Sequence, residues 1–144
     1  MTTSENYSYH FWSPKPAREI FECLLDIPQW WSGLYNEHIE GTCRHVGDVF
    51  TFNAGDGMHY SKQKLTELLP HSSIAWEVTD SRLSFLAEPE EWTGSTIRFT
   101  LTPEKDGTAV VFCHERLVPQ MACYQQCTGA WTAYLDQLKA KLEK

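Results

Sequence analysis

A thiol beside an imidazole is the composition of a nucleophilic pair, and Cys113 and His114 are adjacent in the chain. They fall in an alternating segment, residues 108–117, where successive side chains leave opposite faces of a strand, so the pair is divided and no dyad forms. His114 shares its face with Val110 and Phe112 and is expected to point inward, where a neutral imidazole can hydrogen-bond a ligand carbonyl or move a proton. A histidine satisfied by its own core neighbours is the competing reading. His59 opens another strand after a glycine-bearing turn, which predicts a surface histidine, with the mouth of a pocket as the alternative.

Cys123 and Cys127 are four apart and would share a helix face, making a metal or redox set with an inward His114. Structural zinc takes four ligands, and no further Cys or His is spaced to complete this one. His38, Cys43 and His45 are close in sequence, and Cys43 and His45 would share a strand face, but two ligands do not make a site. Glu88, Glu90 and Glu91 read as a solvated acidic loop rather than as acid/base groups, while Trp92 beside them suits folding back over a pocket or joining an association surface. GxGxxG, P-loop, HExxH, GxSxG and CxxC patterns are all absent. No catalytic side chain, metal or cofactor is therefore expected, although a shaped cavity can act through one or two polar groups that leave no linear motif.

The aromatic residues carry the stronger signal. They make up 13% of the chain, with six Trp, and side chains of that size need a deep core or a lined cavity. Trp31, Phe52, Trp76, Phe99, Phe112 and Trp131 are the expected ligand-binding walls, with plain core as the alternative for each.

Positioning these residues takes a definite series of elements. Alternation over residues 6–12 predicts a first strand with Tyr7, Tyr9 and Phe11 on one face. Pro16 can open a helix, because the amide it lacks would be unpaired in the first turn. Ala17, Ile20, Phe21 and Leu24 then repeat at helical spacing until Pro28, and residues 29–33 read as a second helical turn stopped by Gly33. From residue 37 to 116 the period is two, with strands over 38–43, 48–54, 59–69, 73–79, 95–102 and 108–117. Their inward residues are expected to be Phe50, Phe52, Ile74, Trp76, Val78, Ile97, Phe99, Leu101, Val110 and Phe112. Residues 80–94 make a long connection with Leu83, Phe85, Leu86 and Trp92, and read as a lid. After Pro119, Tyr124, Cys127, Trp131, Leu135, Leu138 and Leu142 form the apolar stripe of a helix over residues 119–143, in which Gly129 predicts a close backbone approach or a kink.

The 144 residues suit one α+β domain, residues 1–144, in which a curved antiparallel sheet wraps a long C-terminal helix. A net charge of −7 repels phosphate backbones and argues against nucleic acid as a partner. No apolar run reaches the length of a membrane span, no signal peptide is visible, and five Cys without CxxC spacing suit reduced thiols, so a cytoplasmic location is expected.

Several stretches carry a resemblance: Ile20-Phe21 through Trp30-Trp31, Lys64 to Pro70, Glu91 to Thr96, His114 to Pro119, and Ala130-Trp131 through Leu138. Together with the order of elements, they resemble the START-like, helix-grip superfamily often called SRPBCC. More narrowly, the chain resembles the activator of heat-shock-protein ATPase homologue family, in its small stand-alone bacterial form. The resemblance implies a cavity between sheet and long helix that receives a hydrophobic small molecule, without implying one reaction. Three functions follow as expectations. The first is a binding module in which His114 supplies polarity and residues 80–94 gate access. The second is an interaction module for a chaperone partner, and the third is a cyclase- or hydrolase-like enzyme on an aromatic or polyketide-like substrate.

Overall fold

In the computed structural model, residues 6–41, 43–55, 57–84, 90–117 and 124–143 are described. Alternation sets the strands. In β1 (Tyr7–Ser13) it turns Phe11 and Ser13 inward and Ser8, His10 and Trp12 outward. The strands β2 (His38–Gly41), β3 (Val49–Ala54), β4 (His59–Leu69), β5 (Ser73–Leu83), β6 (Thr96–Glu104) and β7 (Gly107–Glu115) complete a seven-stranded antiparallel sheet of order β1-β7-β6-β5-β4-β3-β2. Two irregularities of register in β4, between Lys62 and Gln63 and between Leu65 and Glu67, add the local twist by which the sheet bends. All ten residues expected to face inward are buried.

Helix α1 (Ala17–Leu25) buries Ala17, Ile20, Phe21, Leu24 and Leu25. It ends three residues before Pro28 because Asp26 leaves helical geometry (φ −95, ψ 84). The short second turn also lies earlier than expected, as a 3₁₀ turn over Ile27–Gln29, with Pro28 in its first turn where a missing amide costs nothing. Trp30 and Trp31 follow that turn, and both are buried.

Helix α2 (Tyr124–Leu142) lies across the concave face and buries Cys127, Trp131, Tyr134, Leu135, Leu138 and Leu142. Its first expected residues, Pro119 to Cys123, lie outside the described residues. Hydrogen bonds fasten both flanks. Tyr7 Oη meets Thr132 Oγ1 at 2.6 Å, Ser13 Oγ donates to the Leu142 carbonyl at 2.7 Å, and Gln137 donates to the Ser32 carbonyl at 3.3 Å. This is the α+β helix-grip arrangement that the resemblance implies.

The long connection is shorter than expected. Asp80, Ser81, Arg82 and Leu83 continue β5, paired with Lys62, Ser61, Tyr60 and His59 of β4. Polar Asp80 and Arg82 sit on the outer face and hide an alternation in which Ser81 and Leu83 are buried. This end of β5 overshoots β6, and the turn over residues 90–95 takes the vacated edge, with Gly94 N–H donating to the Val78 carbonyl and Val78 N–H to the Ser95 carbonyl, both at 2.8 Å. Phe85 and Leu86 lie outside the described residues.

Candidate functional site

The sheet and α2 do not close on each other along their whole length. At the β3–β4 end they leave a half-open cavity of about 450 Å³, within the range that small-molecule sites occupy. Phe52 and Ala54 reach it from β3, His59 from β4, Trp92 from the turn before β6, and Trp31 and Tyr35 from the segment after the 3₁₀ turn. Helix α2 contributes Cys127, Gly129, Trp131 and Tyr134, together with Gln125 and Gln126 of its first turn. Tyr35 and Met58 make the mouth apolar as well, each about half exposed.

The walls are aromatic slabs braced against one another. Trp31 stacks on Phe52 with centroids 4.2 Å apart, and Trp92 lies parallel to Trp131 at 6.0 Å, 8° from coplanar. Trp131 is held from behind by Phe112 at 4.7 Å, and Trp30 by Phe99 at 5.0 Å. Such contacts add rigidity to burial and set the shape of the space between the walls.

His114 fixes that shape. The Trp131 indole N–H donates to His114 Nδ1 at 3.0 Å, which leaves the imidazole proton on Nε2, 2.8 Å from Ser95 Oγ. The Ser95 hydroxyl in turn donates to the Trp92 carbonyl at 2.6 Å. Burial, with a smaller contribution from His59, pushes the imidazole pKa down to about 3, so the ring is neutral. Both its nitrogens are engaged within the protein, and it stands behind Trp92 and Trp131 rather than in the cavity lining. Its observed role is to tie α2, β7 and the 90–95 turn together.

His59 behaves differently. Its ring meets Trp92 edge to face at 4.6 Å and Phe52 at 5.4 Å. It lines the cavity, yet Nε2 is covered and has no hydrogen-bond partner among the described residues. Burial lowers its pKa to about 4, so this ring too is neutral at neutral pH.

On the opposite wall, the Tyr134 hydroxyl donates to Glu37 Oε2 at 2.5 Å. The same carboxylate accepts the backbone N–H groups of Gly33, Leu34 and Tyr35 at 2.8, 3.1 and 2.9 Å. Burial opposes its charge, but these bonds prevail and hold the Glu37 carboxyl below its ordinary value. Gly33 (φ 94) and Asn36 (φ 57) supply the left-handed conformations that let the loop curl around one carboxylate. The loop bearing Tyr35 is thereby latched to α2.

Of the residues expected to bind ligand, Trp31, Phe52 and Trp131 line the cavity, whereas Trp76, Phe99, Phe112 and His114 form the buried layer that supports it. Trp92 has folded inward and is 2% exposed, so the wall it forms belongs to a packed turn. Tyr134 escaped the sequence reading, and Gly129 was read there for the backbone and not as cavity lining, although both fall within one helical turn of Trp131 on α2. Gly129 makes neither a close approach nor a contact that demands glycine: a Cβ there would meet nothing within 4 Å.

Among the described residues, no three His, Cys, Asp or Glu side chains converge as a metal set. Cys123 lies outside the described residues, so its pairing with Cys127 is not placed; Glu88 lies outside them as well. Cys43 and His45 do not share a face. The strand ends at Gly41 (φ 110), after which Cys43 enters the core and the His45 side chain is 85% exposed. Cys113 and His114 part as alternation requires, with Cys113 half-buried and His114 fully buried.

Residues 14–143 match the family model described as Activator of Hsp90 ATPase homolog 1-like protein. Among solved structures, the solution structure of the Aha1 dimer from Colwellia psychrerythraea is similar with a TM-score of 0.75 at 24% identity, over 96% of each chain. The crystal structure of a protein from Chromobacterium violaceum gives 0.69 at 20% identity, over 97% of this chain and 98% of that one. DynU16, from the dynemicin biosynthetic locus, gives 0.65 at 15% identity, with 97% of this chain covering 48% of that one. At these identities the likeness is one of fold. Among curated proteins, none matches the chain in sequence.

Proposed function

The chain belongs to the family of Activator of Hsp90 ATPase homolog 1-like proteins, and we propose that within it the protein is a binding module for a small, uncharged, apolar molecule. The observation that carries this reading is the cavity of about 450 Å³ between Trp31, Phe52, Trp92 and Trp131, whose described lining includes no Asp, Glu, Lys or Arg. A charged ligand would leave water and find no partner there, whereas each buried square ångström of apolar surface contributes about 25 cal/mol. The fold likeness to DynU16, a protein of a biosynthetic locus, supports a small-molecule occupant. A chaperone partner rests on the family's name, and catalysis through His114 is disfavoured because both its nitrogens are spent.

Native mass spectrometry of the freshly purified protein, followed by thermal-shift measurements with the uncharged probes flavone, naphthalene and methyl oleate, tests the reading. A retained mass, or a melting temperature that rises with ligand concentration, is the expected result. A clean protein mass with no shift from any of the three would overturn it and turn attention to a protein partner.

A further inference from the structure

Two polar atoms in the cavity wall have no hydrogen-bond partner among the described residues, and they belong to rings in contact. They are His59 Nε2 and Trp92 Nε1, whose rings meet edge to face with centroids 4.6 Å apart. Both side chains line the cavity. A buried polar atom without a partner is costly, and structures retain such atoms where another component completes them. The contrast with His114 and Trp131 is informative, because there the same two residue types satisfy each other at 3.0 Å.

From this contrast, and resting on the reading of the cavity as a small-molecule site, we infer that His59 and Trp92 together recognise a hydroxyl on an uncharged, planar aromatic ligand. The chemistry selects that group. Trp92 Nε1–H is a donor only and needs an acceptor. A neutral imidazole presents Nε2 either bare or protonated, and a hydroxyl serves both, donating to the one and accepting from the other. A carboxylate would bring a charge into a wall without cations, and a hydrocarbon would leave both atoms unpaired. The low pKa of His59, about 4, keeps the ring uncharged at neutral pH, in accord with a neutral ligand. Both atoms are covered by neighbouring groups, so the hydroxyl reaches them by rotation of Trp92, which sits on a turn and not within a strand or helix.

Dissociation constants for naphthalene, 2-naphthol and 2-naphthoate, measured at neutral pH on the intact protein and on His59→Phe and Trp92→Phe, test the inference. The unmodified protein should bind 2-naphthol about fivefold to thirtyfold more tightly than naphthalene, the value of one or two net hydrogen bonds, and 2-naphthoate most weakly. In each variant the ratio of the 2-naphthol to the naphthalene affinity should shrink towards unity, even where the altered wall changes naphthalene binding itself, and a cooperative thermal transition establishes that the variant is folded. Equal affinity for naphthalene and 2-naphthol in the unmodified protein, stronger binding of 2-naphthoate, or a preference that survives both substitutions would overturn the role of His59 and Trp92 and leave the cavity standing. Failure of the unmodified protein to bind all three would remove the cavity reading itself, and this inference with it.

Discussion

Trp131 donates its indole N–H to His114 Nδ1 at 3.0 Å, joining the middle of α2 to the inner face of β7. That bond fixes the tautomer, the tautomer lets His114 Nε2 donate to Ser95, and Ser95 holds the carbonyl of Trp92. Two lining residues of the cavity that stack on each other, Trp131 and Trp92, are thus linked through one buried imidazole.

Replacing His114 with Leu keeps much of its volume and strands Trp131 Nε1, while Ser95 Oγ keeps its bond to the Trp92 carbonyl and loses only the one it accepts from the imidazole. The expected loss is about 1–3 kcal/mol for the polar group left without its partner, read as a lower urea midpoint at unchanged slope. His114→Leu as stable as the unmodified protein would remove the imidazole from the scaffold's support.

The same imidazole and that of His59 make stability depend on pH. Folded, they titrate at about 3 and about 4, both depressed by burial. Unfolded, a histidine titrates near about 6.5. As the pH falls below about 6.5 the unfolded chain takes up protons that the folded one refuses, so stability present at neutral pH is lost progressively until the folded rings themselves protonate. The lowered Glu37, Asp48 and Glu67 carboxyls add their loss at more acid pH, below about 4.5. Urea midpoints should therefore fall between about pH 7 and about pH 5, and His59→Phe should flatten part of that slope. A midpoint constant across the interval would contradict the buried, neutral state of both rings.

Alternation made the inner face of the sheet legible, because a strand with one buried face has only one register that hides Phe50, Phe52, Phe99 and Phe112 together. The same logic missed the end of β5, where Asp80 and Arg82 on the outer face look like loop residues and the inward pair is a serine and a leucine. The polar chemistry was less accessible still. His114 acquires its role from Ser95 and Trp131, 19 and 17 residues away, and no linear spacing records which ring nitrogen meets which partner. His59 read as a surface residue because a strand start after a turn is usually solvated. Its burial comes from Trp92, which folds in from a distant turn.

Glu37 should control the loop that carries Tyr35. Its carboxylate accepts three backbone N–H groups and the Tyr134 hydroxyl, so Glu37→Gln replaces one acceptor oxygen by an amide that points hydrogens at donors. Hydrogen exchange at the Leu34 and Tyr35 amides should quicken in that variant, while exchange in β6 and β7 stays slow. Tyr134→Phe removes a single bond and should produce a smaller effect of the same kind, about 1 kcal/mol or less. Unchanged exchange at both amides in Glu37→Gln would mean that the latch does not hold the loop.

Gly129 separates the demands of the fold from those of the cavity. It lies inside α2 and lines the cavity, and a Cβ added there meets nothing within 4 Å. Alanine should therefore stabilise the protein by about 0.5–1 kcal/mol, through the lower backbone entropy of its unfolded chain. Phenylalanine can enter the same space, so Gly129→Phe should remain folded and lose ligand-induced thermal shifts. If Gly129→Phe binds flavone and naphthalene as the unmodified protein does, the ligand occupies another place. If Gly129→Ala is destabilised instead, the glycine serves a backbone geometry and not the open wall beside Trp131.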